Sequence, residues 1–299
     1  MRLASFRSVL LLGTGLLPLS SAVAQTRPAL ANQVTLTPQL VEAGSPELIS
    51  VSYPGADRVE GEWLGHKVTF FRGKDQSRWY ALAGVDVEAA SGQSKLSIKA
   101  HGPSAEADTT QTIAVQIHAA HYKTGSLTVA PKFVEPGPDD QLFIAAANKA
   151  KEQAFATTAV KPLWSGSFAA PVKAAATDSF GTRRMFNGKL ASIHKGTDFR
   201  AGTGTPVLAG NAGKVVLAQA LYYEGNCVMV DHGLGLMTIS MHLSRIEVKP
   251  GQAVAKGQRL GLSGATGRVT GPHLHWAIRW DGAMLDPAKL LRLDLTAVH

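Results

Sequence analysis

Gly271-Pro272-His273-Leu274-His275-Trp276-Ala277-Ile278 opens a strand straight after a Gly-Pro turn and carries two histidines two residues apart. Side chains on a strand alternate between faces, so His273 and His275 leave the same face about 7 Å apart. One can bind a metal while the other faces a substrate. Outward from this stretch, the chain from near Lys161 reads as further strands and tight turns. Glycines punctuate it at Gly202, Gly204, Gly210, Gly213, Gly225, Gly233 and Gly235. This half is an all-β unit.

Four of the ten histidines and one aspartate gather there: His194 and Asp198 in His194-Lys195-Gly196-Thr197-Asp198, His242 in Met241-His242-Leu243-Ser244, then His273 and His275. Each piece alone is weak, because an isolated histidine is more often structural than a ligand. On an extended chain His194 and Asp198 would stand about 13 Å apart, too far for one ion. The chain must bend between them, which Gly196 permits. Two imidazoles and a carboxylate form the ligand set of a catalytic zinc site whose fourth position stays open for water. Zinc would bring the pKa of that water towards about 7 and polarise a carbonyl, with two spare histidine rings to handle the proton and the oxyanion. Spacing alone establishes a metal site with two unexplained histidines nearby.

Further recognisable pieces are Phe180-Gly181-Thr182-Arg183-Arg184, Gly204-Thr205-Pro206-Val207, Val230-Asp231-His232-Gly233 and Gly267-Arg268-Val269-Thr270, which runs into Gly271-Pro272-His273-Leu274-His275. With them, the chain from about Trp164 to Leu291 resembles the lysostaphin-type (LytM-type) zinc endopeptidases. The resemblance implies His194, Asp198 and His275 as ligands of one Zn2+ per chain, and His242 and His273 as an uncoordinated catalytic pair. It also implies peptidoglycan peptide stems and cross-links as substrate. Two positions depart from the family's habit and bear on substrate preference: Ser240 replaces a frequent aromatic residue, and Ala277 a frequent acidic one. Some proteins with this domain lack the ligands and act as non-enzymatic activators or binding proteins for other wall hydrolases. Here all five residues are present, which implies a zinc-dependent metalloendopeptidase.

From about Val34 to Val129 the sequence alternates short β-branched stretches with turn residues, as in Leu48-Ile49-Ser50-Val51-Ser52-Tyr53 before Pro54-Gly55. About seven such stretches predict an immunoglobulin-like β-sandwich over 30–130. His118 and His121, three apart, would fall on opposite faces of a strand and make no metal site. Pro131 to Pro138 is a connector, after which Asp139-Asp140 caps a helix through Leu142, Ile144, Ala145 and Ala150. The expected fold is all-β: an N-terminal sandwich, a linker with a helix over 131–160, and a β-rich LytM-type peptidase domain over 161–292.

Arg2 and Arg7, the apolar stretch from Val9 to Leu19 and the small residues Ala22 and Ala24 read as a signal peptide over 1–24, cleaved before Gln25. No cysteine stands near that site to take a lipid. The mature protein is expected to be a periplasmic or secreted monomer without a membrane span. The formal charge of +8 loses two arginines with the leader, leaving 28 basic against 22 acidic residues, or +6. An anionic partner fits, wall carboxylates or teichoic acids better than nucleic acid because no nucleic-acid module is recognisable, and the charge fits a role in solubility alone equally well. Cys227, the only cysteine, cannot make an internal disulfide and reads as a buried strand residue. His232 closes a hairpin, and Arg183 and Arg184 fit either a wall carboxylate or a solvated loop. Gly264 to Gly271 lacks the lysine and hydroxyl pair of a phosphate loop. Val248 to Gly261 looks like part of a lipoyl or biotinyl carrier, but Ser240-Met241-His242-Leu243 replaces the acceptor lysine.

Overall fold

The alternating stretches of the N-terminal half become two four-stranded antiparallel sheets. One runs in the order Val34–Thr37, Pro46–Ser52, Arg78–Gly84, Phe71–Arg72, and the other His66–Thr69, Arg58–Trp63, Gly92–His101, Thr109–Ile117. The computed structural model describes residues 34–299 apart from 75, 77, 187, 188, 297 and 299, so the leader expected at 1–24 lies outside the described residues. Along Gly92–His101 the period-two pattern is plain: Leu96, Ile98 and Ala100 are buried while Lys95 and Lys99 are exposed.

Pro46–Ser52 breaks that pattern, with six of its seven residues buried. Its sheet has no solvent face at this point, because the C-terminal half packs against it. Phe71 meets Trp164 edge-on with ring centroids 5.8 Å apart. Gly84 is pressed so closely to the C-terminal half that a Cβ there would stand 2.4 Å from Leu285 Cδ2. Asp86 Oδ2 accepts from the Met284 amide at 2.7 Å, and Lys289 pairs with Glu42 at 2.7 Å. One contiguous apolar core therefore runs from Val41 through Trp164 and Trp276 to Val298.

The connector is built into the fold as well. In the helix Pro138–Phe155 the N-cap is Gly137, so Asp139 and Asp140 do not cap it as expected. They sit in the first turn, where the helix dipole favours negative charge. Ala147 and Ala154 let the helix lie close on the C-terminal sheet, against Leu217, Leu221, Met229, Ile239 and Ala277. Thr124–Leu127, expected within the sandwich, instead pairs in parallel with Arg183–Phe186, which pairs in turn with Lys189–Ile193. The last strand of the two four-stranded sheets is Thr109–Ile117.

The C-terminal half is a ten-stranded sheet whose main path runs Ala176–Asp178, Thr197–Phe199, Leu274–Trp280, Leu236–Ile246, Gly225–Gly233, Gly213–Leu221, Ala253–Val254. Leu234 (φ 54°) and Gly235 (φ 80°) close the hairpin after His232 in a left-handed turn that suits the strand twist. Cys227 is a fully buried free thiol within that hairpin, as expected of a strand residue. Among the described residues, no helix is long and apolar enough to cross a membrane. If the two halves share one core, Leu285→Ala will cost about 2–5 kcal/mol of the whole chain's stability, measured by urea denaturation. A loss below about 1 kcal/mol would show that the halves are energetically separate.

Candidate active site

Strand register sets the site. Asp198 on Thr197–Phe199 lies directly opposite His275 on Leu274–Trp280, and His275 lies opposite Met241 on Leu236–Ile246. His194 enters from just before Thr197–Phe199, and the bend at Gly196 brings its Nε2 to 3.0 Å from Asp198 Oδ1. Gly196 serves this bend by what it lacks, since its φ is not left-handed. A Cβ there would stand 2.4 Å from His275 Nε2 and 2.7 Å from the Trp276 carbonyl.

The third contact closes a triangle. His275 Nδ1 is 2.8 Å from Asp198 Oδ1 and 2.9 Å from His194 Nε2. Three lone-pair atoms converge there, which a cation or extra protons must relieve. The edges approach the roughly 3.3 Å required by tetrahedral bonds of about 2.0–2.1 Å. Outer contacts orient the donors. His194 Nδ1 donates to the Ser179 carbonyl at 3.0 Å, which leaves Nε2 bare. Arg184 Nη2 donates to Asp198 Oδ2 at 2.6 Å, so only Oδ1 faces the other two donors.

Burial opposes the charge on Asp198, but hydrogen bonds with His194 and His275 outweigh it and hold the carboxyl well below the usual carboxylate range. Burial pushes the His275 imidazole down to about 4 against the pull of Asp198, so the ring is neutral near pH 7. A neutral imidazole beside an ionised carboxylate is the state a metal ligand set needs.

His242 and His273 flank the triangle. Their ring centroids are 4.9 Å apart, and His273 Nε2 is 3.7 Å from Asp198 Oδ1. Strand alternation would put Met241 and His242 on opposite faces, yet both line the same groove. A β-bulge explains this: the pairing of Gly225–Gly233 with Leu236–Ile246 slips by one residue between Val228↔Ser240 and Asn226↔Leu243. Within the bulge His242 adopts φ 64°, a conformation costing a non-glycine residue about 1 kcal/mol or more. Its amide donates to the Glu224 carbonyl and its Nδ1 to the Thr266 carbonyl, both at 2.9 Å. Burial, reinforced by His275 and His273, pushes His242 down to about 3.

The groove encloses about 700 Å³. The helix Pro138–Phe155 walls it with Lys151 and Phe155, while Arg184, Tyr223 and Arg268 line it elsewhere. Ala277, on the same strand face as His275, is buried beneath the helix residues Ala147 and Ala154, where an acidic side chain would lose its water. Sequence reasoning missed three parts: the approach of Arg184 to Asp198, the Thr266 carbonyl that fixes His242, and the helix wall. Only the Arg183-Arg184 pair left any signal. Among the described residues, His194, Asp198 and His275 form the one cluster of metal-ligating type, and His118 and His121 take no part.

Fold and site together define a β-rich domain with a His-Asp-His group that could hold a metal ion, beside two further histidines. Residues 192–287 match Peptidase family M23, in line with the lysostaphin-type (LytM-type) resemblance of the sequence. The chain is 48% identical over 114 residues to the peptidoglycan DD-endopeptidase ShyA of Vibrio cholerae, a match covering 38% of this chain and 26% of that protein. It is 38% identical over 98 residues to the DD-carboxypeptidase/endopeptidase Mpg of Neisseria meningitidis, covering 33% and 23%. The chain thus spans about a quarter of the length of the curated relatives it matches. The crystal structure of a candidate peptidase M23 from Pseudomonas aeruginosa aligns with a TM-score of 0.64 and 27% identity. That alignment covers 85% of this chain and 97% of that one, so it takes in the N-terminal sheets as well.

His232 stands apart from the groove. It is fully buried, with Nδ1 donating to the Ala212 carbonyl at 2.7 Å and Nε2 2.9 Å from Thr238 Oγ1, and burial pushes it down to about 4. The unfolded ring has a pKa of about 6.5. The unfolded chain therefore takes the proton first, and stability falls as pH drops from about 6.5 towards 4, by up to about 3 kcal/mol. Urea midpoints measured between pH 7 and pH 5 are expected to fall less steeply for His232→Gln than for the parent; parallel profiles would contradict this.

Proposed function

We propose that the chain is an exported zinc metalloendopeptidase that hydrolyses peptide cross-links of bacterial peptidoglycan. The observation that carries this reading is the meeting, in one groove, of a three-donor triangle with two further histidine rings held by backbone carbonyls. His194, Asp198 and His275 would hold one Zn2+ per chain. When bound, zinc supplies a Lewis acid for the scissile carbonyl and lowers the pKa of water.

The remaining chemistry falls to the chain's own groups. His242, neutral and with Nδ1 committed to Thr266, offers Nε2 as the proton acceptor during attack. His273, fixed by its Nδ1 contact with the Gly271 carbonyl at 2.8 Å, sets its other ring nitrogen beside the developing oxyanion. Arg184 occupies Oδ2 of Asp198, so that Oδ1 alone faces the other two donors. An apolar floor of buried Met229 and Ile239 and half-buried Met241 sheds water from the groove.

The substrate class is supported by relatives named as peptidoglycan DD-endopeptidases and by the net positive charge. Cross-links between D-alanine and diaminopimelate are the preferred bond. The same relatives favour a location outside the cytoplasm, periplasmic or secreted once residues 1–24 are removed, with the protein acting as a monomer. The strand orders of the two N-terminal sheets support an immunoglobulin-like reading of the accessory unit over 30–130. The peptidase domain, placed at 161–292, then borrows Thr124–Leu127 and the helix of the 131–160 linker.

Protein purified without its leader is expected to hold about one zinc per chain. Release of fragments from cross-linked muropeptides should stop with a chelator and with His275→Ala. Cleavage indifferent to both, or by metal-free protein, would sink the proposal. Arg184→Ala should weaken zinc binding about 10–100-fold by competition with a chromogenic chelator, because Asp198 loses the partner that orients it.

A further inference from the structure

The loop from Thr266 to Pro272 is stitched to the turn that precedes the bulge. Thr266 Oγ1 donates to the Leu243 carbonyl and accepts from the Asn226 amide, each at 2.9 Å, and the Arg268 amide donates to the Tyr223 carbonyl at 2.8 Å. The two segments touch through glycines: a Cβ on Gly267 would stand 2.4 Å from the Gly225 nitrogen. The same loop carries the carbonyl that fixes His242, and it ends at His273. Arg268 is thereby held in fixed relation to both catalytic-pair histidines.

The Arg268 guanidinium lies 4.6 Å over the ring of Tyr223, and both side chains line the groove. Burial and the nearby Arg184 charge work against the Arg268 cation, while Tyr223 and Glu224 favour it. Glu224 is itself held by Lys151 at 2.7 Å. Lys151, Arg184 and Lys195 also line the groove, and they pair with Glu224, Asp198 and Glu88 respectively. An anion entering beside the triangle therefore meets a cationic lining in which Arg268 is the guanidinium stacked on an aromatic ring. A stacked guanidinium is pre-organised for bidentate pairing with a carboxylate, more than a lysine would be.

We propose that Arg268, stacked on Tyr223, is a specificity-determining residue that pairs with a carboxylate borne by the peptide substrate close to the scissile bond. The proposal rests on the peptidase reading, because it takes the groove to be the peptide site.

The test separates binding from cleavage. In the leaderless full chain carrying His242→Ala, which keeps the proposed ligands, affinity is measured by calorimetry for a cross-linked muropeptide with free carboxylates and for its amidated counterpart. The carboxylate form is expected to bind about 10–100-fold tighter, a charged hydrogen-bonded pair being worth about 1.5–3 kcal/mol. Adding Arg268→Gln should bring the ratio close to one, and Arg268→Lys should leave it intermediate. Equal binding of the two peptides, binding of neither, or a ratio unmoved by Arg268→Gln would each overturn the proposal. Zinc content and cleavage by the parent are read separately. A protein that cleaves without discriminating refutes only the role of Arg268, and one that discriminates without cleaving or holding zinc refutes only the peptidase reading.

Discussion

Asp198 sits opposite His275 across two antiparallel strands, and every other distance at the site follows from that register. Side chains on a strand repeat every two residues, so a slip of one would carry His275 to the far face and bring Trp276 into the groove. Trp276 resists the slip. It is almost fully buried, packed edge-on to Phe199 with centroids 6.5 Å apart. Asp198 and His275 thus each stand beside a core residue, Phe199 and Trp276, and the apolar packing on one face of the sheet holds the polar geometry on the other.

That polar geometry works against folding on its own terms. Asp198, His194, His242 and His275 are all buried, and burying such groups without compensation costs several kcal/mol. Compensation comes from fixed backbone: the Ser179, Thr266 and Gly271 carbonyls each take one ring N–H. Arg184 takes the outer oxygen of Asp198. Held at Nδ1, the rings of His194, His242 and His273 each keep Nε2 for the groove they line. The strained backbone of His242 belongs to the same economy of direction, since regular alternation could not have brought that ring to this face.

Much of this was legible from residue order alone. The spacing of His273 and His275 fixed their shared face, the separation of His194 and Asp198 demanded a bend, and the alternation in Leu96-Ser97-Ile98-Lys99-Ala100 marked a half-buried strand. What stayed hidden depends on partners far apart in sequence. The bulge at His242 is defined only by its pairing with Gly225–Gly233. The role of Arg184 depends on a hairpin folding back over Thr197–Phe199. Gly196 looked like a flexible joint and is instead a gap for the His275 ring. The helix read as a tether because its buried face is built from alanines, which carry little hydrophobic signal.

The parallel pairing of Thr124–Leu127 with Arg183–Phe186 has a mechanical meaning. The hairpin that carries Arg184 leans on a strand contributed by the chain just after the N-terminal sheets. From the end of those sheets, one strand pairing and one ion pair lead to Asp198. The chain leaving the accessory unit thus helps to hold the arginine that orients a member of the His-Asp-His triangle.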